Sequence, residues 1–155
     1  MDLAINMEQK SEFYTLTGYK LKQSSVLTEA MEDYLEMIAR DWQTGENLTI
    51  KRLAEQLNVK PSSVSKMCHK LCELGFLDFQ KYGTIQLTEK GKENGSYLLW
   101  RHNLLTTFLK QLNQEDFSLE QVEKIEHFID GITLEHLEQF LKLEKDLFFI
   151  KESDK

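Results

Sequence analysis

Apolar positions first recur at helical spacing between Thr28 and about Gln43, where Met31, Leu35 and Ile38 form one stripe. Thr28 stands where an N-cap belongs. After the turn TGEN (44–47), Thr49 is placed to cap a short helix, IKRLAEQL, with Ile50, Leu53, Ala54 and Leu57 on one face. Asn58-Val59-Lys60 breaks the pattern, and Pro61 sits where a first helical turn tolerates it. The next helix, SSVSKMCHKLCEL, turns Val64, Met67, Cys68, Leu71 and Leu74 inward and stops at Gly75. The period then shortens to that of strands: FLDFQ (76–80) and TIQLT (84–88) predict a hairpin through Lys81, Tyr82 and Gly83.

The helical period returns at Thr88 and holds to about Leu112. Gly91 and Gly95 weaken the first turns of that helix by about 1 kcal/mol each relative to Ala, which predicts close packing or fraying there. Ser118-Leu119-Glu120-Gln121 reads as a capping box opening a helix that runs to Asp130-Gly131. A last helix is expected from Thr133 to about Leu143, and the tail EKDLFFIKESDK is ambiguous. Residues 1–26 form an extension whose FYTLTGYKL segment has partial alternation and no assigned role. The predicted class is mainly α, with helix, helix, turn and hairpin in the order of a winged helix-turn-helix domain.

Composition narrows the reading. With 155 residues, 41% of them hydrophobic and 29% charged, the chain can build a core of one ordinary domain or two small ones. The N-terminal MDLAINMEQK has no signal-peptide core, and no apolar run approaches the ~20 residues that span a bilayer. A cytoplasmic protein is expected, with no membrane partner. Cys68 and Cys72 lie four apart on the helix after Pro61 and are expected to pack as small hydrophobes; a zinc site with His69 is the alternative, with no fourth ligand evident. No HExxH, P-loop or nucleophile motif occurs.

Charge is unevenly spread. The net charge is −7, yet the span from Lys51 to Lys92 carries +4, which leaves −11 on the rest. A basic module inside an acidic chain suits a polyanion. Within it, Lys60, Ser62, Ser63, Ser65, Lys66, His69 and Lys70 cluster at and along the outward side of the second helix of the pair. These donors and cations fit phosphates and base edges of double-stranded DNA, with Lys81 and Tyr82 at the hairpin tip.

The acidic remainder holds a second pattern. Glu123, Glu126 and His127 fall three and four apart, so one helix face gathers two carboxylates and an imidazole. Like charges one turn apart destabilise a helix unless something compensates, and a divalent cation would. His102 in the long helix and Asp33 with Glu36 in the first are further donors, while Glu32 is expected to face solvent.

The pieces MEDYLE (31–36), VKPSSVSKM (59–67), LTEKGK (87–92), RHNLL (101–105) and VEKIEH (122–127), in this order across residues 28–143, resemble the manganese-dependent branch of the diphtheria-toxin-repressor-like (DtxR/MntR) metalloregulator family. The resemblance implies a winged helix-turn-helix DNA-binding domain over 27–90 and an all-helical metal-binding and dimerisation domain over 91–145, with 146–155 as a tail. It implies a homodimer on a DNA operator, repressing metal-uptake genes when Mn²⁺ is bound, with no enzyme activity and no small organic substrate. Asp33, Glu36, His102, Glu123, Glu126 and His127 fall on the family's ligand positions for a binuclear site. One ion would be held by Asp33, Glu36, His102 and Glu126, the other by Glu36, Glu123, Glu126 and His127. The iron-responsive branch has Met and Cys where this chain has Asp33 and Glu123, and oxygen donors there favour Mn²⁺, with Fe²⁺, Co²⁺ or Cd²⁺ as substitutes. Phe128 replaces a frequent second His, and the SH3-like domain of the longer iron regulators has no counterpart. Two alternatives stand beside this reading. One is a winged-helix regulator sensing Fe²⁺ or a non-metal signal. The other is a di-metal carboxylate enzyme, whose paired Glu-x-x-His motifs this chain lacks: Leu99 stands three before His102.

Overall fold

Three threonines fix three helix starts. The hydroxyls of Thr28, Thr49 and Thr88 accept from the backbone N–H of Met31, Arg52 and Gly91, each three residues on, and satisfy donors the first turn leaves open. They open α1 (Glu29–Thr44), α2 (Ile50–Leu57) and α4 (Glu89–Asn113) of the computed structural model, which describes residues 26–45, 48–79 and 83–153. Pro61 is the first residue of α3 (Pro61–Glu73). Asn58, at φ 52°, closes α2, and Gly75, at φ 78°, turns the chain out of α3. The extension 1–25 and the hairpin-tip residues Lys81 and Tyr82 lie outside the described residues.

The hairpin forms but is shorter than its alternation predicts. Strands β1 (Leu77–Phe79) and β2 (Ile85–Leu87) pair antiparallel, Leu77 opposite Leu87 and Phe79 opposite Ile85. An isolated bridge joins Thr49 to Thr84, and the Ile85 N–H donates to the Leu48 carbonyl, so β2 is tied to the start of α2. These ties hold a wing beside the α2–α3 pair.

Three further expectations change. The Ser118 hydroxyl caps α5 (Leu119–Ile125) by accepting from the Glu120 N–H, but Gln121 makes no reciprocal bond: its Oε1 accepts from Asn113 Nδ2 across the loop. The α-helix stops at Ile125, and Glu126–Phe128 form a 3₁₀ turn, so the chain tightens just where Glu126 and His127 sit. The last helix, α6, spans Gly131–Ser153 and starts before Thr133. Asp130 is the reason: its carboxylate accepts from both the N–H and the hydroxyl of Thr133.

Two apolar clusters share α4. Leu35, Ile38, Leu53, Val64, Cys68, Leu71, Phe76 and Ile85 pack with Leu98 and Leu99. Leu104, Leu105 and Leu109 pack with Val122, Leu134 and Leu141 of α5 and α6. Full burial of a side chain such as Leu35 or Leu105 contributes about 1.5–3 kcal/mol. Between the clusters α4 presents Arg101 and His102, both buried.

Packing, and not fraying, explains the glycines of α4. A Cβ on Gly91 would overlap the Phe76 carbonyl oxygen, and one on Gly95 would lie 2.5 Å from the Cβ of Ala39 on α1. The second contact lets α1 and α4 cross closely and brings their polar residues together. No described helix is long and apolar enough to cross a membrane.

Candidate metal centre

Four segments meet at the border of the two clusters. From α1 come Glu32, Asp33 and Glu36, which a helical turn places on adjoining rows. Helix α4 adds Arg101 and His102, α5 adds Glu123, and the 3₁₀ turn adds Glu126 and His127.

The carboxylate of Glu126 is the common member. With Glu36 and His102 it forms one trio of buried donors, and with Asp33 and His127 a second, each with donor atoms within 4.8 Å of one another. His102 Nδ1 lies 3.0 Å from Glu126 Oε2 and 3.6 Å from Glu36 Oε1. His127 Nε2 lies 3.0 Å from Asp33 Oδ1 and 3.9 Å from Glu126 Oε1. Glu123 stands at the edge, its Oε1 3.7 Å from His102 Nδ1 and its side chain 57% exposed. In this geometry Asp33 groups with His127 and Glu36 with His102, a different division from the one the family pattern implies. All six expected ligand residues nonetheless lie around one space.

The electrostatics are those of acids pressed together. Burial raises the Glu36 pKa, and the Glu126 charge adds to the rise, while His102 and Arg40 oppose it. Glu123 is raised by burial and again by Glu126. His102 is raised chiefly by its hydrogen bond to Glu126. Bonds to Asp33 and then to Glu32 push His127 up to about 10. Arg40 Nη2 also donates to Glu36 Oε1 at 2.7 Å, a second positive partner for the inner carboxylate.

Imidazole nitrogens and carboxylate oxygens, with no sulfur, suit a borderline-to-hard divalent ion. Buried carboxylates side by side, answered by two imidazoles and Arg40, fit a site whose charge balance a cation would complete. The donor set therefore fits the expected metal. Among the described residues no donor group includes a cysteine. Cys68 lies in the apolar cluster, and burial, then Cys72, push its thiol up to about 12.

Two residues of the centre escaped the sequence reading. Glu32, expected in solvent, has Oε2 2.7 Å from His127 Nδ1 and 2.9 Å from Arg101 Nη1. Burial works to raise its pKa, but the His127 bond and the Arg101 charge outweigh this and hold it low. The available signal was an acid beside Asp33 and a base beside His102, 69 residues apart, which no local pattern connects.

On the reading side, Lys60, Ser62, Ser63, Lys66, His69 and Lys70 are exposed on or beside α3, and Ser65 is half-buried. Helices α2 and α3 pack in one apolar cluster with α1, which carries Asp33 and Glu36, and polar contacts fasten α2 to α1. Asp41, next to Arg40 on α1, accepts from Gln56 Nε2 of α2 at 3.0 Å, with Arg52 Nε 3.4 Å from its other oxygen.

A two-helix reading head with a wing, joined to helices that converge carboxylates and imidazoles, defines a metal-dependent DNA-binding regulator. Residues 26–85 match the iron dependent repressor N-terminal DNA binding domain, and residues 88–146 match the iron dependent repressor metal binding and dimerisation domain. The HTH-type transcriptional regulator MntR of Oceanobacillus iheyensis is 37% identical over 120 residues, covering 77% of this chain and 82% of that one. MntR of Bacillus subtilis is 36% identical over 111 residues, covering 71% and 78%. Among solved structures, the manganese regulator SloR superposes with a TM-score of 0.64 at 30% identity, over 75% of this chain; the match spans 55% of the SloR chain. ScaR with bound Zn²⁺ gives 0.61 at 30% identity, over 72% and 53%. The chain belongs to the iron-dependent-repressor family, among its MntR-like transcriptional regulators.

Proposed function

We propose that this protein is a Mn²⁺-responsive repressor that binds a double-stranded DNA operator as a homodimer and acts in the cytoplasm on promoters of metal-uptake genes. The observation that carries the reading is the trio Glu36, His102 and Glu126: three buried donors from three segments, gathered against their own repulsion. Asp33, Glu123 and His127 complete a donor set large enough for two ions. Glu126, the member common to both trios, would serve both positions, and Glu36 would serve the inner one. Fe²⁺, Co²⁺ and Cd²⁺ are the substitutes this N/O set would accept. ScaR, a structural relative, has been crystallised with bound Cd²⁺.

When bound, the divalent ion supplies the positive charge that the acidic cluster lacks. Asp33 and Glu36 then hold α1 against His102, Glu126 and His127. Through Asp41 and Gln56, α1 holds α2 and with it α3 in one position. The exposed Lys60, Ser62, Ser63, Lys66, His69 and Lys70, with Ser65 nearby, contact the phosphates and base edges of one half-site; Lys81 and Tyr82, outside the described residues, are expected from the sequence alone to contact the adjoining backbone. Ile132, Phe140 and Leu143, apolar and exposed on α6, are covered in the dimer. Coupling between metal and DNA is reciprocal, typically about 1–3 kcal/mol.

The test is operator affinity by fluorescence anisotropy, on duplexes selected from random-sequence DNA with Mn²⁺ present. Native protein and Glu126→Ala are compared with and without Mn²⁺. Tight binding only for native protein with Mn²⁺ is expected. Equal affinity in all four conditions would overturn the proposal.

A further inference from the structure

The imidazole of His127 is gripped on the side away from the metal-facing atoms. Its Nε2 points to Asp33, whereas Nδ1 lies 2.7 Å from Glu32 Oε2. The same Glu32 oxygen is 2.9 Å from Arg101 Nη1, and Arg101 Nη2 comes within 3.3 Å of Nδ1. A guanidinium has no acceptor, so that last approach cannot be a hydrogen bond to a protonated Nδ1. Both groups instead donate to Glu32, and the short contact between them follows from their shared acceptor.

Burial gives the arrangement its stiffness. The Arg101 side chain is 4% exposed and that of Glu32 19%. A guanidinium held so deep requires its carboxylate, and a carboxylate held by a guanidinium cannot swing away to another partner. Arg101 is adjacent to His102 and Glu32 to Asp33, so the pair joins α1, α4 and the 3₁₀ turn behind the donor atoms.

We infer that Glu32 and Arg101 are positioning residues for His127: they fix the proton on Nδ1 and hold the ring so that Nε2 is the metal-binding atom. The inference rests on the metal reading above. Which ring nitrogen binds a metal is set by the bond the other makes, and outer partners of this kind change metal affinity by about 10–100-fold when removed. Neither residue is itself a ligand.

The test uses the full chain, native and with Glu32→Gln or Glu32→Ala. Mn²⁺ affinity is read by calorimetry, the Co²⁺ electronic absorption reports coordination, and the metal-free melting temperature reports the fold. Glu32→Ala is expected to lose about 10–100-fold in Mn²⁺ affinity and to alter the Co²⁺ spectrum. Glu32→Gln keeps an oxygen for Nδ1–H and is expected to recover most of both. Should Glu32→Ala unfold by stranding Arg101, the double variant Glu32→Ala with Arg101→Met removes the pair whole and is read the same way. Native affinity and spectrum in the Ala or double variant would overturn the inference. So would equal losses in Gln and Ala with an unchanged Co²⁺ spectrum, which is the behaviour of a merely structural ion pair. Failure of the native protein to bind either ion would overturn the metal reading itself, a different result from an unaffected variant.

Discussion

The two donor trios share Glu126 and differ in their access to water. Glu36, His102 and Glu126 are all buried, whereas the outer trio ends in Asp33, whose side chain is 46% exposed. Inner charges are answered within the protein, by His102 and Arg40. Outer charges are relieved by solvent and by the Glu32–Arg101 pair behind His127. Equal ligand chemistry therefore carries unequal energetic weight. Losing an inner oxygen leaves a partner buried and unanswered, while losing an outer one lets water in.

Substitutions can break this comparison, and calorimetric Mn²⁺ titration measures each. Glu126→Ala removes the member common to both trios and is expected to weaken binding at least about a hundredfold, the scale of breaking a buried charged contact. Glu36→Gln should cost about 10–100-fold, as for a buried charge-assisted bond. Asp33→Asn should cost only about fivefold, since its environment screens it. If Asp33→Asn costs more than Glu36→Gln, burial is not what ranks the ligands. Arg40→Ala sharpens the contrast with the opposite sign: freed from its half-exposed ion pair, Glu36 should bind Mn²⁺ about threefold more tightly. Glu123→Gln, at the exposed edge, is expected to change affinity by about twofold, the smallest effect of the series.

Local chemistry made most of the fold legible. Thr28, Thr49 and Thr88 cap as their positions suggest, Pro61 opens α3, and Gly75 takes a positive φ. What failed was also local but ambiguous. The period predicts a start at Thr133, yet Asp130, three residues earlier, accepts from the Thr133 N–H and hydroxyl, and α6 begins at Gly131. The Ser118 box fails because Gln121 finds Asn113 closer to hand. At the candidate metal centre, donor spacing within VEKIEH and MEDYLE points to residues that the fold brings together. Spacing could not say that the helix tightens at Glu126, nor that Glu32 turns from solvent to His127 and Arg101. Those outcomes depend on how α1 crosses α4, and sequence periodicity fixes a face of each helix without fixing the crossing.

The close seat of Gly95 on Ala39 has a mechanical consequence. At 1.5 Å per residue, Asp33 lies roughly 9 Å along α1 from Ala39 on one side, and Asp41 roughly 3 Å on the other. The two small residues let the helix axes approach, and Leu35 and Ile38 beside Ala39 lock α1 into the shared cluster. The acidic end and the residue that grips α2 thus belong to one stiff rod, roughly two turns long, seated on α4.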